Sequence, residues 1–220
     1  MKNKYSTKDL NLSSNERLQI EKSSIFQPRK YTKFFPKNLK IFTLNAGFKS
    51  RNDDLLIIIF DDIVNAASVF SKTSTPSAPI IWNKRYNKNR VKALIVNSGN
   101  ANAHTGSKGI KIINDYVNFL SKKINCKKSE IHVSSTGVIG ELFNPIKIIN
   151  KIKTIDHSNN RNLLGAAKAI MTTDTYPKLY HKKIIVDKKL INFYGIAKGS
   201  GMISPNMGTM LSYLFIDVDV

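Results

Sequence analysis

The longest unbroken apolar run in the chain is Leu55–Phe60, LLIIIF, only six residues. A membrane-spanning helix needs about 20 such residues, so none is expected. A short, β-branched apolar run of this kind reads as a buried strand. Lys92–Val96 (KALIV) is a second one. Between them, residues 71–79 (SKTSTPSAP) are loop chemistry, with Pro76 and Pro79 unable to donate ladder hydrogen bonds.

Periodicity then changes. Ile110, Ile113, Tyr116, Val117, Leu120 and Ile124 recur at three- and four-residue steps, which predicts an amphipathic helix over 108–124 with Lys108, Lys111, Lys122 and Lys123 mainly on the other face. A strand at Ile131–Ser135 follows, then a glycine-rich turn and a helix opening at Asn144-Pro145. Arg161–Met171 reads as a further helix. Lys183–Val186 and Leu190–Ile196 read as a hairpin around Asp187-Lys188-Lys189, and Leu211–Val220 as a last strand. Strands alternating with helices predict an α/β protein of layered mixed architecture.

The 220 residues are 41% hydrophobic and 23% charged, a globular composition with length for one domain or two small ones. Residues 1–32 are polar and aperiodic and are expected to form a disordered extension. The start of the chain has no apolar stretch and carries Asp9 and Glu16, unlike a secretory or transit signal. The single cysteine, Cys126, excludes an internal disulfide framework. The chain is read as cytoplasmic.

The 35 basic residues exceed the 15 acidic ones to give a net charge of +20, which suits anionic partners. Only six of the 35 are arginine, however, and specific phosphate or base recognition favours the arginine fork. Codon bias in an AT-rich genome produces the same lysine excess; a basic nucleic-acid-binding protein stays open as an alternative reading. Trp82, Arg85 and Tyr86 can stack on a base or simply belong to the core.

Four segments place small and polar residues where a plain core would have Leu and Val: VNSGNANAHTG (96–106), SSTGVIG (134–140), MTTDTYP (171–177) and GIAKGSGMISPNMGTML (195–211). Each alone reads as a turn or a helix cap. Together they offer backbone N–H groups that can approach an anion or a carbonyl oxygen. His104, His132, His157 and His181 lack metal-ligand spacing, and there is no P-loop or dinucleotide fingerprint.

In this order and spacing the four segments resemble the bifunctional ornithine acetyltransferase / N-acetylglutamate synthase family of arginine biosynthesis. The likeness runs from about Phe34 to the last residue and includes ASVFSKTSTPSAP upstream. It implies a sandwich fold of the ornithine acetyltransferase type with N-terminal-nucleophile chemistry. The precursor would cut itself at Gly208–Thr209, leaving Thr209 as nucleophile, its freed α-amine (pKa about 8) as base. The resemblance places the oxyanion hole on Thr136 and Gly137, and substrate binding on Thr172, Lys198 and Thr209. Asn100, Thr173 and Asp174 are weaker candidates that serve equally well as loop supports. His104 stands where relatives often carry cysteine.

The implied reaction moves acetyl from N-acetylornithine to glutamate through acetyl-Thr209, with acetyl-CoA a further donor in some relatives and no metal or other cofactor. The implied assembly is a heterotetramer of two α and two β chains. On this basis residues 33–208 form the α-chain domain and 209–220 begin the β chain. Only twelve residues run from Thr209 to Val220, so the β chain is expected to be truncated, with strands 55–60, 92–96 and 211–220 left as unpaired edges. A non-catalytic remnant, or an α-side subunit that requires a separate β chain, is the alternative.

Overall fold

The computed structural model describes residues 36–87, 89–156, 162–200 and 209–218, so the extension at 1–32 lies outside the described residues. Strands β1 (Leu39–Leu44), β2 (Leu55–Asn65), β3 (Arg90–Asn100) and β4 (Ile131–Val138) form one sheet in that spatial order. β1/β2 and β2/β3 are antiparallel, whereas β3/β4 is parallel. The parallel pair requires a crossover, and helix α2 (Gly106–Lys123) lies between its strands in the chain.

β2 and β3 are the two central strands, not edges as the sequence suggested. β1, a strand that the sequence pattern does not reveal, covers one side of β2. Central position explains the LLIIIF run. Leu55 and Ile57 face one layer while Leu56 and Ile58 face the other, and all four have 0% exposure. A strand buried on both faces has no reason to alternate with polar residues.

The first layer is helical. α2 presents Ile113, Tyr116, Val117 and Leu120, all buried, to Ile57, Ile95 and Val133. Beside it lies α1 (Ala78–Tyr86), which the proline-rich loop composition concealed. Pro79 stands in its first turn, where its missing N–H is not needed. Trp82 of α1 is 2% exposed and belongs to this core, so it does not serve as a stacking platform. Asn83 from the same helix donates to Val133 O (2.8 Å) and accepts from Val133 N (3.1 Å), pairing backbone groups of the edge strand β4. Helix α3 (Ile146–Thr154) closes the layer with Ile148 and Ile152.

The second layer covers the opposite face. Helix α4 (Leu163–Ala169) and an antiparallel sheet of β5 (Lys178–Val186), β6 (Lys189–Lys198) and β7 (Leu211–Ile216) pack there. Ala166, Ala167, Ile170, Tyr194 and Ile196 meet Ile41, Leu56, Ile58 and Val96. Both α4 and β7 are shorter than the sequence suggested. The expected hairpin is present, and its strands extend back to Lys178 and on to Lys198. Among the described residues no helix is long and apolar enough to cross a membrane.

The hairpin turns at Asp187 (φ 48°) and Lys188 (φ 63°), the backbone of a type I′ turn, in which both central residues are left-handed. Lysine fits this region poorly, and Lys188 is exposed with no packing role to lose. Lys188→Gly should raise stability by up to about 1 kcal/mol, read as a higher midpoint in urea unfolding.

Candidate active site

Four segments from both sheets meet at one end of the interlayer space. Alternation along β6 turns Tyr194, Ile196 and Lys198 inward, so the last strand residue puts a lysine in line with core side chains; Lys198 is 4% exposed. Alternation along β4 sends Ile131 and Val133 toward the helices, and therefore Thr136 toward the second sheet. The two side chains meet there.

An ammonium has three donors, and Lys198 Nζ reaches three oxygens: Thr172 Oγ1 at 2.7 Å, Thr136 Oγ1 at 3.0 Å and the Thr209 carbonyl at 3.2 Å. Three of the residues singled out as functional thus converge on the fourth. Gly208, the remaining half of the expected cleavage bond, lies outside the described residues. Thr136 is 1% exposed, whereas Thr209 is exposed.

Behind the ammonium lies Asp174, whose side chain is fully buried. Its Oδ1 accepts from Lys178 Nζ (2.6 Å) and Gly199 N (2.7 Å), and its Oδ2 accepts from Thr172 N (3.2 Å) and stands 4.0 Å from Lys198 Nζ. Burial pushes this carboxyl up, but the hydrogen bonds from Lys178, Gly199 and Thr172 and the charge of Lys178 outweigh it. The net pKa lies below the ordinary aspartate value. Burial pushes the Lys198 ammonium below the ordinary lysine value, and the charge of Lys178 adds to this while Asp174 partly offsets it.

Gly137 sits where two backbones nearly touch. Its φ is 131°, and a β-carbon there would overlap the Gly99 carbonyl carbon and lie 2.6 Å from Asn100 N. Gly99 (φ 104°) is crowded in turn, since a β-carbon on it would come within 2.9 Å of Phe48 Cβ. The loop carrying Phe48 therefore rests on Gly99, and Gly99 on Gly137 beside Thr136.

The polar residues of the first motif serve mainly to hold this end of the sheet. Asn97 donates to Asn100 O and accepts from Ser135 Oγ, while Asn100 accepts from Asn102 N and donates to Glu141 O. Asn100, 5% exposed, is thus a loop support. Thr173 pairs with Ser200 through their hydroxyls at 2.8 Å. His104 lies outside these contacts, at the start of α2. His132 is on β4, where burial lowers its pKa to about 4 and so keeps its imidazole neutral near neutral pH. No described group of three or more His, Cys, Asp or Glu is placed to hold a metal ion.

Sequence reasoning missed Phe48, Gly99 and Lys178. The signal for Gly99 was present, a glycine inside a strand. Lys178 directly follows the third segment, and nothing local marked Phe48.

Fold and site together define a layered α/β protein with a buried lysine clasped by threonines between its two sheets. The sequence profile of the ArgJ family matches residues 40–220. The arginine biosynthesis bifunctional protein ArgJ of Bartonella henselae is 39% identical over 201 residues, which are 86% of this chain and 49% of that protein. Its counterpart in Bradyrhizobium diazoefficiens is 39% identical over 185 residues, 83% of this chain and 45% of its own. Two crystal structures are similar. The Bacillus halodurans ArgJ protein superposes with a TM-score of 0.69 at 30% identity, covering 78% of this chain and 92% of that one. Ornithine acetyltransferase from Mycobacterium tuberculosis, complexed with ornithine, gives 0.63 at 26% identity, covering 79% and 94%. The chain belongs to the ArgJ family and has its α/β fold, as the sequence motifs implied. It spans about half the length of the curated relatives it matches.

Close approach of the two backbones makes a size prediction. Gly137→Ala should displace the end of β4 from Gly99 and separate Thr136 from Lys198, costing about 1–3 kcal/mol of stability. Denaturant unfolding of this variant and of Gly140→Ala checks it, because a β-carbon at Gly140 meets nothing within 4 Å. Gly140 also has a positive φ (88°, against 131° at Gly137), so Gly137→Ala should be the more costly of the two, from both contact and backbone strain.

Proposed function

We propose that this chain provides the nucleophile-bearing part of an acetyltransferase of arginine biosynthesis, transferring acetyl from N-acetylornithine to glutamate through an ester on Thr209. The observation that carries this reading is the convergence of Thr136, Thr172 and Thr209 on the buried ammonium of Lys198. The likeness to an ornithine acetyltransferase complexed with ornithine supports the substrate class.

Thr209 gains a basic α-amine only when the Gly208–Thr209 peptide bond is cut, because an amide nitrogen has no available lone pair. The hydroxyl then attacks the acetyl carbonyl carbon while the α-amine takes its proton. A tetrahedral oxyanion forms, stabilised by the Thr136 hydroxyl and the Gly137 N–H. Lys198 donates to Thr136 Oγ1, which leaves the threonine's own O–H free to be directed at that oxyanion. Collapse expels ornithine, whose nitrogen recovers the proton, and acetyl-Thr209 remains. The glutamate amine attacks this ester by the same route in reverse, releasing N-acetylglutamate. Acetyl-CoA can enter as an alternative donor to the same hydroxyl. Lys198 and Thr172 bind the carboxylate of the amino acid, which replaces one of the present oxygen partners of the ammonium.

A second reading, that the chain is a subunit needing a separate chain to act, is favoured by the outer face of the second sheet. Register aligns Tyr180, Gly195 and Leu214 in one row and Lys182, Phe193 and Ile216 in the next, and Tyr180 and Leu214 are 67% and 63% exposed. An apolar sheet face of this kind calls for cover, in keeping with an α/β heterotetramer.

Intact-mass measurement of the purified chain should reveal a species ending at Gly208, and Thr209→Ala should abolish both it and acetyl transfer. Continued transfer by that variant would overturn the mechanism.

Carboxylate binding needs the Lys198 ammonium, so its lowered pKa sets a pH limit. As pH rises through that value the charge is lost, and kcat/KM should fall at a pH below the ordinary lysine value of about 10.4. Asp174 raises the Lys198 pKa, so Asp174→Asn should move this alkaline limb to still lower pH. A limb that stays in place would remove Lys198 from carboxylate binding.

A further inference from the structure

A third lysine, Lys49, outside every motif of the sequence, reaches the segment beside the same site. We infer that Lys49 is a positioning residue that holds the turn bearing Thr172 against Lys198 and thereby sets substrate affinity. This inference rests on the role proposed above for Thr172.

Lys49 lies in the loop between β1 and β2, and its backbone is pinned by Asp54. That carboxylate, with 0% exposure, accepts from the N–H groups of Ala46 (2.6 Å), Phe48 (2.6 Å) and Lys49 (2.8 Å). From this fixed base the side chain reaches more than a hundred residues along the chain. Its Nζ donates to Met171 O at 2.7 Å, to Ala169 O at 3.3 Å and, locally, to Asp53 O at 3.3 Å.

The choice of acceptors matters. Helix α4 ends at Ala169, and the last carbonyls of a helix lack intrahelical partners and carry the negative end of its dipole. Lys49 supplies a cation there, while Ser98 Oγ donates to Ala169 O at 2.5 Å. The residue after Met171 is Thr172, whose hydroxyl accepts from Lys198 and whose N–H donates to Asp174. Thr172 is therefore fixed from three sides, and Lys49 joins Ser98 of β3 in tying its turn to the first sheet. Burial pushes the Lys49 pKa down and the charge of Lys198 acts in the same sense, with Asp54, Asp174 and Asp53 opposing. A cation kept half-buried beside a second one is hard to account for as a plain surface lysine.

The test compares Lys49→Met, which keeps the length of the side chain and removes its donors, with Lys49→Arg, which keeps charge and donors. On the full chain, amide hydrogen exchange should speed up by about tenfold or more at Thr172 in Lys49→Met. Exchange at the core amides of Ile57 and Ile95 should stay unchanged. Lys49→Arg should restore most of the protection. In acetyl transfer, Lys49→Met should raise KM by about tenfold with kcat within about threefold, the pattern of lost substrate positioning. Unchanged exchange at Thr172 would overturn the inference. So would equal acceleration at Thr172 and in the core, which would make Lys49 a support of the whole fold, and so would an unaltered KM. A wild-type chain that transfers no acetyl group would count against the proposed function, and the exchange result alone would then decide the role of Lys49.

Discussion

The buried ammonium of Lys198 is the interaction on which the rest of the site depends. A charge taken out of water is tolerated only when its donors are satisfied and an opposite charge is near. Here Thr136, Thr172 and the Thr209 carbonyl satisfy the donors, and Asp174 lies 4.0 Å away. Those partners come from β4, the turn after α4, the lead-in to β7 and the turn before β5. Satisfying one cation therefore brings the end of the first sheet, the end of the second and the segment that begins with Thr209 to one point. Asp174 binds Thr172 N and Gly199 N at the same time, so the counter-charge also sets the backbone on either side of the cluster.

A second constraint works through shape. Phe48, Gly99 and Gly137 lie against one another with no room for a β-carbon at either glycine. This contact carries the position of the β1–β2 loop to the residue next to Thr136. The same loop holds Lys49, so the first sheet reaches the site twice, once by backbone contact and once by a cation on the Thr172 turn. Neither route includes a member of the Lys198 cluster, yet both bear on where its members stand.

Much of the fold was legible because burial leaves patterns in composition. The amphipathic period of α2 and the turn residues of the β5–β6 hairpin placed those elements to within a few residues. Two elements were hidden for identifiable reasons. β1 is only six residues and mixes apolar with polar positions. α1 begins in a Ser/Thr/Pro stretch whose local preferences argue for a loop, and tertiary burial of Trp82 and Asn83 overrides them. The expected edges at 55–60 and 92–96 failed for a similar reason. Strand neighbours are a property of topology, and β1 and β4 flank them.

By itself the sequence determined the α/β class and, through four ordered motifs, the family, and it offered Thr136, Gly137, Thr172, Lys198 and Thr209 as candidate site residues. It did so because such motifs are short and local, and local order is what a sequence records. Only the tertiary structure decided that Lys198 is a core-facing cation and that Asp174 stands behind it. It also assigned Asn100 to loop support and joined Lys49 to a carbonyl 122 residues away. Alternation assigns Lys198 to a face of its strand, but whether that face is covered depends on which sheet packs against it. That is settled by the sum of many non-local contacts, which no single segment encodes.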